Sequence, residues 1–105
     1  MEIQEISIED LKQKIHFKEI QFIDIRPEEF FLEEHVVFSF LKNIPLQTLA
    51  EHLQDLDKNK EVYLICNHGN SSKHAAAFLQ TQGFNAFSVA GGTQEWKEKY
   101  PEEVT

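Results

Sequence analysis

Cysteine occurs only once in these 105 residues, at position 66. One thiol excludes an internal disulfide and any metal site built from several thiolates. Cations are also scarce: ten Lys plus Arg stand against eighteen Asp plus Glu, and Arg26 is the sole arginine. The resulting net charge of -8 argues against binding to nucleic acid or to an anionic membrane surface. Apolar runs last only a few residues, far short of the ~20 that span a bilayer. The opening Met1-Glu2-Ile3-Gln4-Glu5 is acidic and lacks the basic-then-apolar layout of a secretory signal, so a reducing, cytoplasmic location is expected. His16, His35, His52, His68 and His74 show no ligand spacing, and neither a metal nor a cofactor is expected. Repeats, low-complexity stretches and linkers are missing too. What remains is 41% hydrophobic and 27% charged residues, the balance of a soluble globular chain. A chain this size buries roughly two-thirds of its unfolded surface, enough for one core, so residues 1–105 read as a single domain and a monomer.

Short β-like runs alternate with helical stripes along the chain. Glu2–Ile6 reads as a strand. Ser7 with Asp10 makes a helix start ahead of Ile8, Leu11 and Ile15. Gln21–Ile25 is an apolar strand interrupted by Asp24, and Pro27 opens a brief helix over Glu28–Glu34. Phe38–Ile44 is strand-like, and after Pro45 the residues Leu46, Leu49, Ala50, Leu53 and Leu56 form a helical stripe. Val62–Cys66 is the most strand-like segment. A loop over Asn67–Asn70 follows, then a helix capped by Ser71 or Ser72 and stopped near Gln82 by Gly83. Phe84–Ala90 is a strand, Gly91-Gly92 a turn, and Thr93–Lys99 a helix that carries Trp96.

This alternation predicts an α/β fold of three layers, a mostly parallel central sheet with helices on both faces. Parallel strands end on one edge, where ligands of such folds bind. Arg26, Cys66 and Gly91-Gly92 each follow a strand and are expected on that rim. The loop after Cys66 is Asn67-His68-Gly69-Asn70-Ser71-Ser72. Small and polar, it can turn its backbone N–H groups inward as an anion cradle at a helix N-terminus, with Gly69 free to take a positive φ. Such a field favours thiolate over thiol and makes Cys66 a candidate nucleophile. Asp24 and Arg26 read either as part of the rim or as an internal ion pair supporting the loop. His35, Trp96 and Tyr100 read as structural, and Lys73 as a helix-surface residue.

The residues resemble the rhodanese-like domain family of single-domain sulfurtransferases, from about Ile3 to Tyr100. Asp24-Ile25-Arg26 is similar to the Asp-x-Arg after that family's second strand. Glu29-Phe30 through His35-Val36 resembles its Glu-aromatic…Gly-His-aliphatic run, with Glu34 in place of the glycine, and Asn43-Ile44-Pro45-Leu46 matches its Asn-Ile-Pro-Leu. Val62–Cys66 resembles the strand that ends in the catalytic cysteine, and Val89-Ala90-Gly91-Gly92 followed by Trp96 resembles its closing motif. The resemblance implies that Cys66 carries a sulfane sulfur as a persulfide, taken from a small donor such as thiosulfate or from a protein persulfide. An acceptor thiol or cyanide then removes it, with Asn67, His68, Gly69, Asn70, Ser71 and Ser72 as the cradle.

One departure stands out: family members often carry an arginine where this chain has Ser71. Losing that guanidinium predicts weak thiosulfate affinity, since a backbone cradle survives but a bidentate anion clamp does not. It also leaves open a non-catalytic interaction or sulfur-relay module. The same departure weighs against a cysteine phosphatase or arsenate-reductase-like enzyme, whose loops share the layout but rely on the arginine.

Overall fold

A computed structural model describes residues 2–17 and 19–105; Met1 and Lys18 lie outside them. In chain order the elements are β1 (Glu5–Ile6), α1 (Ile8–Phe17), β2 (Gln21–Asp24), α2 (Glu28–Glu33), β3 (Leu41–Asn43), a 3-10 helix (Leu46–Asp55), β4 (Val62–Ile65), α3 (Ser71–Thr81), β5 (Ala86–Val89), α4 (Gly92–Lys99) and a 3-10 turn (Pro101–Glu103). Among the described residues, five strands form one sheet in the order β1-β5-β4-β2-β3, every pair parallel. The expected three-layer α/β architecture is what forms. No helix of the described residues is long and apolar enough to cross a membrane.

Period-two alternation sends the side chains of each central strand to opposite faces. Ile23, Val62, Leu64 and Ala86 pack with Leu49, Ala75, Ala76 and Leu79 from the 3-10 helix and α3. Phe22, Tyr63, Ile65 and Val89 pack on the other face with Ile8, Leu11 and Trp96 from α1 and α4. Both faces of β4 are therefore covered, and its four residues are all fully buried. Trp96 anchors the second face, with its ring 6.0 Å from Phe22 and 5.7 Å from Phe38 and its Nε1 donating to Glu103 at 2.8 Å. Burial pushes the Glu103 carboxyl upward, but hydrogen bonds from Lys12 and Trp96 outweigh it and hold that carboxyl below its ordinary value.

Several local expectations held at the ends of elements. Ser7 Oγ accepts from the Asp10 amide at 3.1 Å, the start of α1 read from sequence. At the end of α3, Gly83 N–H donates to Gln80 O and Phe84 N–H to Leu79 O, a Schellman closure that buries Phe84. Two expectations needed correction. The edge segments Glu2–Ile6 and Phe38–Ile44 pair over only two and three residues, because each has a neighbour on one side alone. The segment after Pro45 is helical, as expected, and winds as a 3-10 helix, with Thr48 and Leu56 amides reaching back three residues. Its leucines are spaced three apart in two pairs, Leu46–Leu49 and Leu53–Leu56, which suits a turn whose i and i+3 side chains eclipse. Finally, neither Ser71 nor Ser72 caps α3: Asn70 is the N-cap residue, and no side-chain oxygen accepts there.

The topology opens a crevice at the carboxyl edge of the sheet. From β2 the chain runs outward to β3, whereas from β4 it runs the opposite way to β5. The segments leaving these adjacent strands part company, and such a divergence at the carboxyl edge of a parallel sheet is where ligands sit. Asp24 pairs with Ile65 in register, so Arg26 and Cys66 both lie just beyond the strand ends.

Candidate active site

Cys66 is the first residue past β4 and is only 5% exposed. Its sulfur lies where a helix cap would. The amides of Gly69 and Ser72 each donate to Sγ at 3.2 Å, and the thiol donates to Ser72 Oγ at 3.3 Å. Ser72 is the second residue of α3, so its N–H is one of the orphan donors at the helix start. The sulfur takes the acceptor role that the sequence assigned to a serine hydroxyl, at the positive end of the helix dipole.

The loop backbone is held from the α4 side. Thr93 N–H donates to Cys66 O at 2.9 Å and Gln94 N–H to Asn67 O at 3.0 Å. A trans peptide points its N–H opposite to its C=O, so these bonds turn the Asn67 and His68 amides away from α4. Gly69 takes φ +95°, and a Cβ there would meet Gly91 N at 3.1 Å. Two conditions, a left-handed backbone and a close approach, thus require glycine at this point of the loop.

The six loop residues divide by position. Gly69 and Ser72 are buried and touch the sulfur. Asn67 and Ser71 line a cavity of about 390 Å³ above it, together with Ile25, Arg26, Pro27, Phe30, Pro45, Leu46, Gln47 and Cys66 itself. His68 and Asn70 are exposed, line no part of this cavity and make no bond to Sγ.

Asp24 and Arg26 form an internal ion pair, and Arg26 also reaches the cavity wall. The Asp24 carboxylate accepts from Arg26 Nε at 3.0 Å and Nη2 at 2.8 Å, and from the Arg26 amide at 3.0 Å. Nη2 also donates to Glu34 O, while Asn43 Nδ2 donates to the carbonyls of Asp24 and Arg26. Both partners are buried, so the guanidinium is already neutralised and braces the chain beside the cavity. His35 lies outside the cavity, stacked on Phe31 at 4.4 Å.

Sequence reasoning missed Ser88. It is fully buried on β5, where its Oγ lies 2.7 Å from Ser72 Oγ and donates to Gly69 O at 3.5 Å. Those are the two residues whose amides hold the sulfur. A lone hydroxyl in the apolar strand Ala-Phe-Ser-Val is the signal that points to it, much as the lone Asp24 interrupts β2.

The rhodanese-like domain family model matches residues 7–99. The chain belongs to that family. Rhodanese-like domains are a sulfur-transfer-related family, and solved structures agree with the assignment. A rhodanese-like domain protein from Staphylococcus aureus is 29% identical with a TM-score of 0.81, over 89% of this chain and 90% of that one. A rhodanese-related protein from Thermoplasma volcanium is 31% identical, TM-score 0.81, over 92% and 93%. An NAD-dependent persulfide reductase from A. fulgidus is 26% identical, TM-score 0.73, over 90% of this chain but 16% of that one.

Proposed function

We propose that this rhodanese-like domain transfers sulfane sulfur through a persulfide on Cys66. The observation that carries the reading is the sulfur itself, set at the floor of an open cavity and held by two backbone N–H groups at the head of α3. In the loading step the Cys66 thiolate attacks the outer sulfur of a donor. A new S–S bond forms, and the donor's own bond to that sulfur breaks. With thiosulfate, sulfite departs with the electron pair. In the second step an acceptor thiolate attacks the outer sulfur, becomes a persulfide, and releases the Cys66 thiolate. The two amides on Sγ suit the Cys66 thiolate before loading and after release, since neither has to move or change charge.

Incubation with a sulfane donor, followed by mass spectrometry of the intact protein, tests the proposal directly. The expected result is a gain of one sulfur that reducing agent removes and that Cys66→Ala does not show. An unmodified Cys66 with every donor overturns it and favours the second reading, a rhodanese-fold interaction or relay module without catalysis. Ser71 is what favours that second reading, because it puts a neutral side chain on the cavity wall where relatives often have a guanidinium. Ser71→Arg should therefore raise kcat/KM for thiosulfate about tenfold, the worth of one charge-assisted contact, with little change for a neutral organic trisulfide donor. Steady-state rates with the two donors check it; equal gains would mean that charge at this position is not what limits thiosulfate.

A further inference from the structure

The wall of the Cys66 cavity is apolar where it meets solvent. Phe30 is 50% exposed and Leu46 is 39% exposed, facing a mouth completed by Pro27 and Pro45. Phe30 is presented by α2, which also carries Glu28, Glu29 and Glu33, all exposed and none in an ion pair among the described residues. The only cation lining the cavity, among the described residues, is Arg26, and its charge is taken up by Asp24. A second hollow of about 310 Å³ shares Arg26, Phe30 and Asn67 with the first; its one lysine, Lys97, is paired with Glu34 at 2.9 Å. The two hollows meet at Phe30, Glu33 lines the second of them, and Glu28 and Glu29 stand on the same short helix.

We infer that this surface docks a segment of a partner protein that presents its thiol or persulfide beside an apolar side chain, with lysines or arginines flanking it. The inference rests on the sulfur-transfer reading for what the segment carries. A small anionic donor meets an apolar wall here, whereas such a segment buries its apolar side chain against Phe30 and Leu46 while its cations meet the exposed acids of α2, of which Glu33 lines the second hollow. A second copy of this chain, itself at -8, is repelled by the same carboxylates.

The test uses sulfur-free probes on the Cys66→Ala protein, so that binding is read apart from chemistry. One dye-labelled peptide is Lys-Lys-Phe-Ser-Leu-Lys-Lys, and the other has glutamates in place of its lysines. Fluorescence anisotropy should show the basic peptide bound about tenfold more tightly at about 0.05 M salt, with the preference falling to about twofold at about 0.5 M. Replacing all three acids (Glu28→Gln, Glu29→Gln, Glu33→Gln) should erase the preference. Phe30→Ser with Leu46→Asn should weaken both peptides about tenfold, through lost apolar burial. All five positions are exposed, and an unchanged thermal melt shows that the variants remain folded.

Equal binding of the two peptides overturns the proposal, as does binding that ignores both sets of substitutions. Displacement of the basic peptide by glutathione at matching affinity assigns the surface to a small thiol and also overturns it. So does light scattering that shows a dimer using this face. Failure of persulfide loading in the mass measurement would instead strike the sulfur-transfer reading, so the two can fail separately.

Discussion

Asp24→Ala should destabilise the domain by about 3–5 kcal/mol, with Tm falling by at least about 12 °C. The cause is the guanidinium left behind. Arg26 sits 7% exposed, and Asp24, fully buried, takes bonds from its Nε, Nη2 and backbone N–H. Removing the carboxylate strands a buried cation, with the Glu34 carbonyl as its other hydrogen-bond acceptor. Replacing both partners (Asp24→Leu with Arg26→Met) should recover much of the loss, since no unpaired charge then remains. Denaturant unfolding of the three proteins decides the matter. If the double variant were no more stable than Asp24→Ala, the ion pair would not be the reason for the damage.

Gly92→Ala should act on stability and on Cys66 together. Gly92 has φ +62°, and a Cβ built there runs into the carbonyl oxygen of Cys66 and lies 2.6 Å from that of Asn67. Left-handed backbone in a residue with a side chain costs about 1–2 kcal/mol and the overpacking about 1–3 kcal/mol, for a total of about 2–5 kcal/mol. The atoms that must yield are backbone, and they belong to the peptides that Thr93 and Gln94 hold in place. Persulfide loading of folded Gly92→Ala should therefore slow well beyond what its stability explains. Ala77→Gly on α3, a substitution on the half-buried side of a helix away from the sulfur, gives a control that loses stability by about 1 kcal/mol and keeps its loading rate. Loading at the normal rate in Gly92→Ala would show that the loop tolerates the displacement.

The supports of the thiol were unevenly legible in the sequence. The Gly69 amide and the Ser72 amide belong to a loop whose composition had already marked it as a cradle. Contacts with α4, between residues more than twenty positions apart, turn the Asn67 and His68 amides, and the amides that reach the sulfur are those of Gly69 and Ser72. Ser88 escaped notice for the same reason, since its bond to Ser72 joins β5 to the start of α3. Asp24 and Arg26 could be read as rim or as brace from their spacing alone. In the structure they form a buried ion pair and Arg26 lines the cavity as well, a combination that burial sets and spacing does not show.

By itself the chain's pattern determined the order of strands and helices, the parallel sheet that such an order demands, and the placing of Cys66 at a strand tip before a helix. These follow from periodicity, caps and turn residues, which act over a few neighbouring positions. Tertiary structure alone decided the sheet order that opens a crevice between β2 and β4, the 3-10 winding after Pro45, and the apolar mouth formed where Phe30 meets Leu46. Each of these depends on what distant segments bury against one another, and local preference is too weak to dictate that.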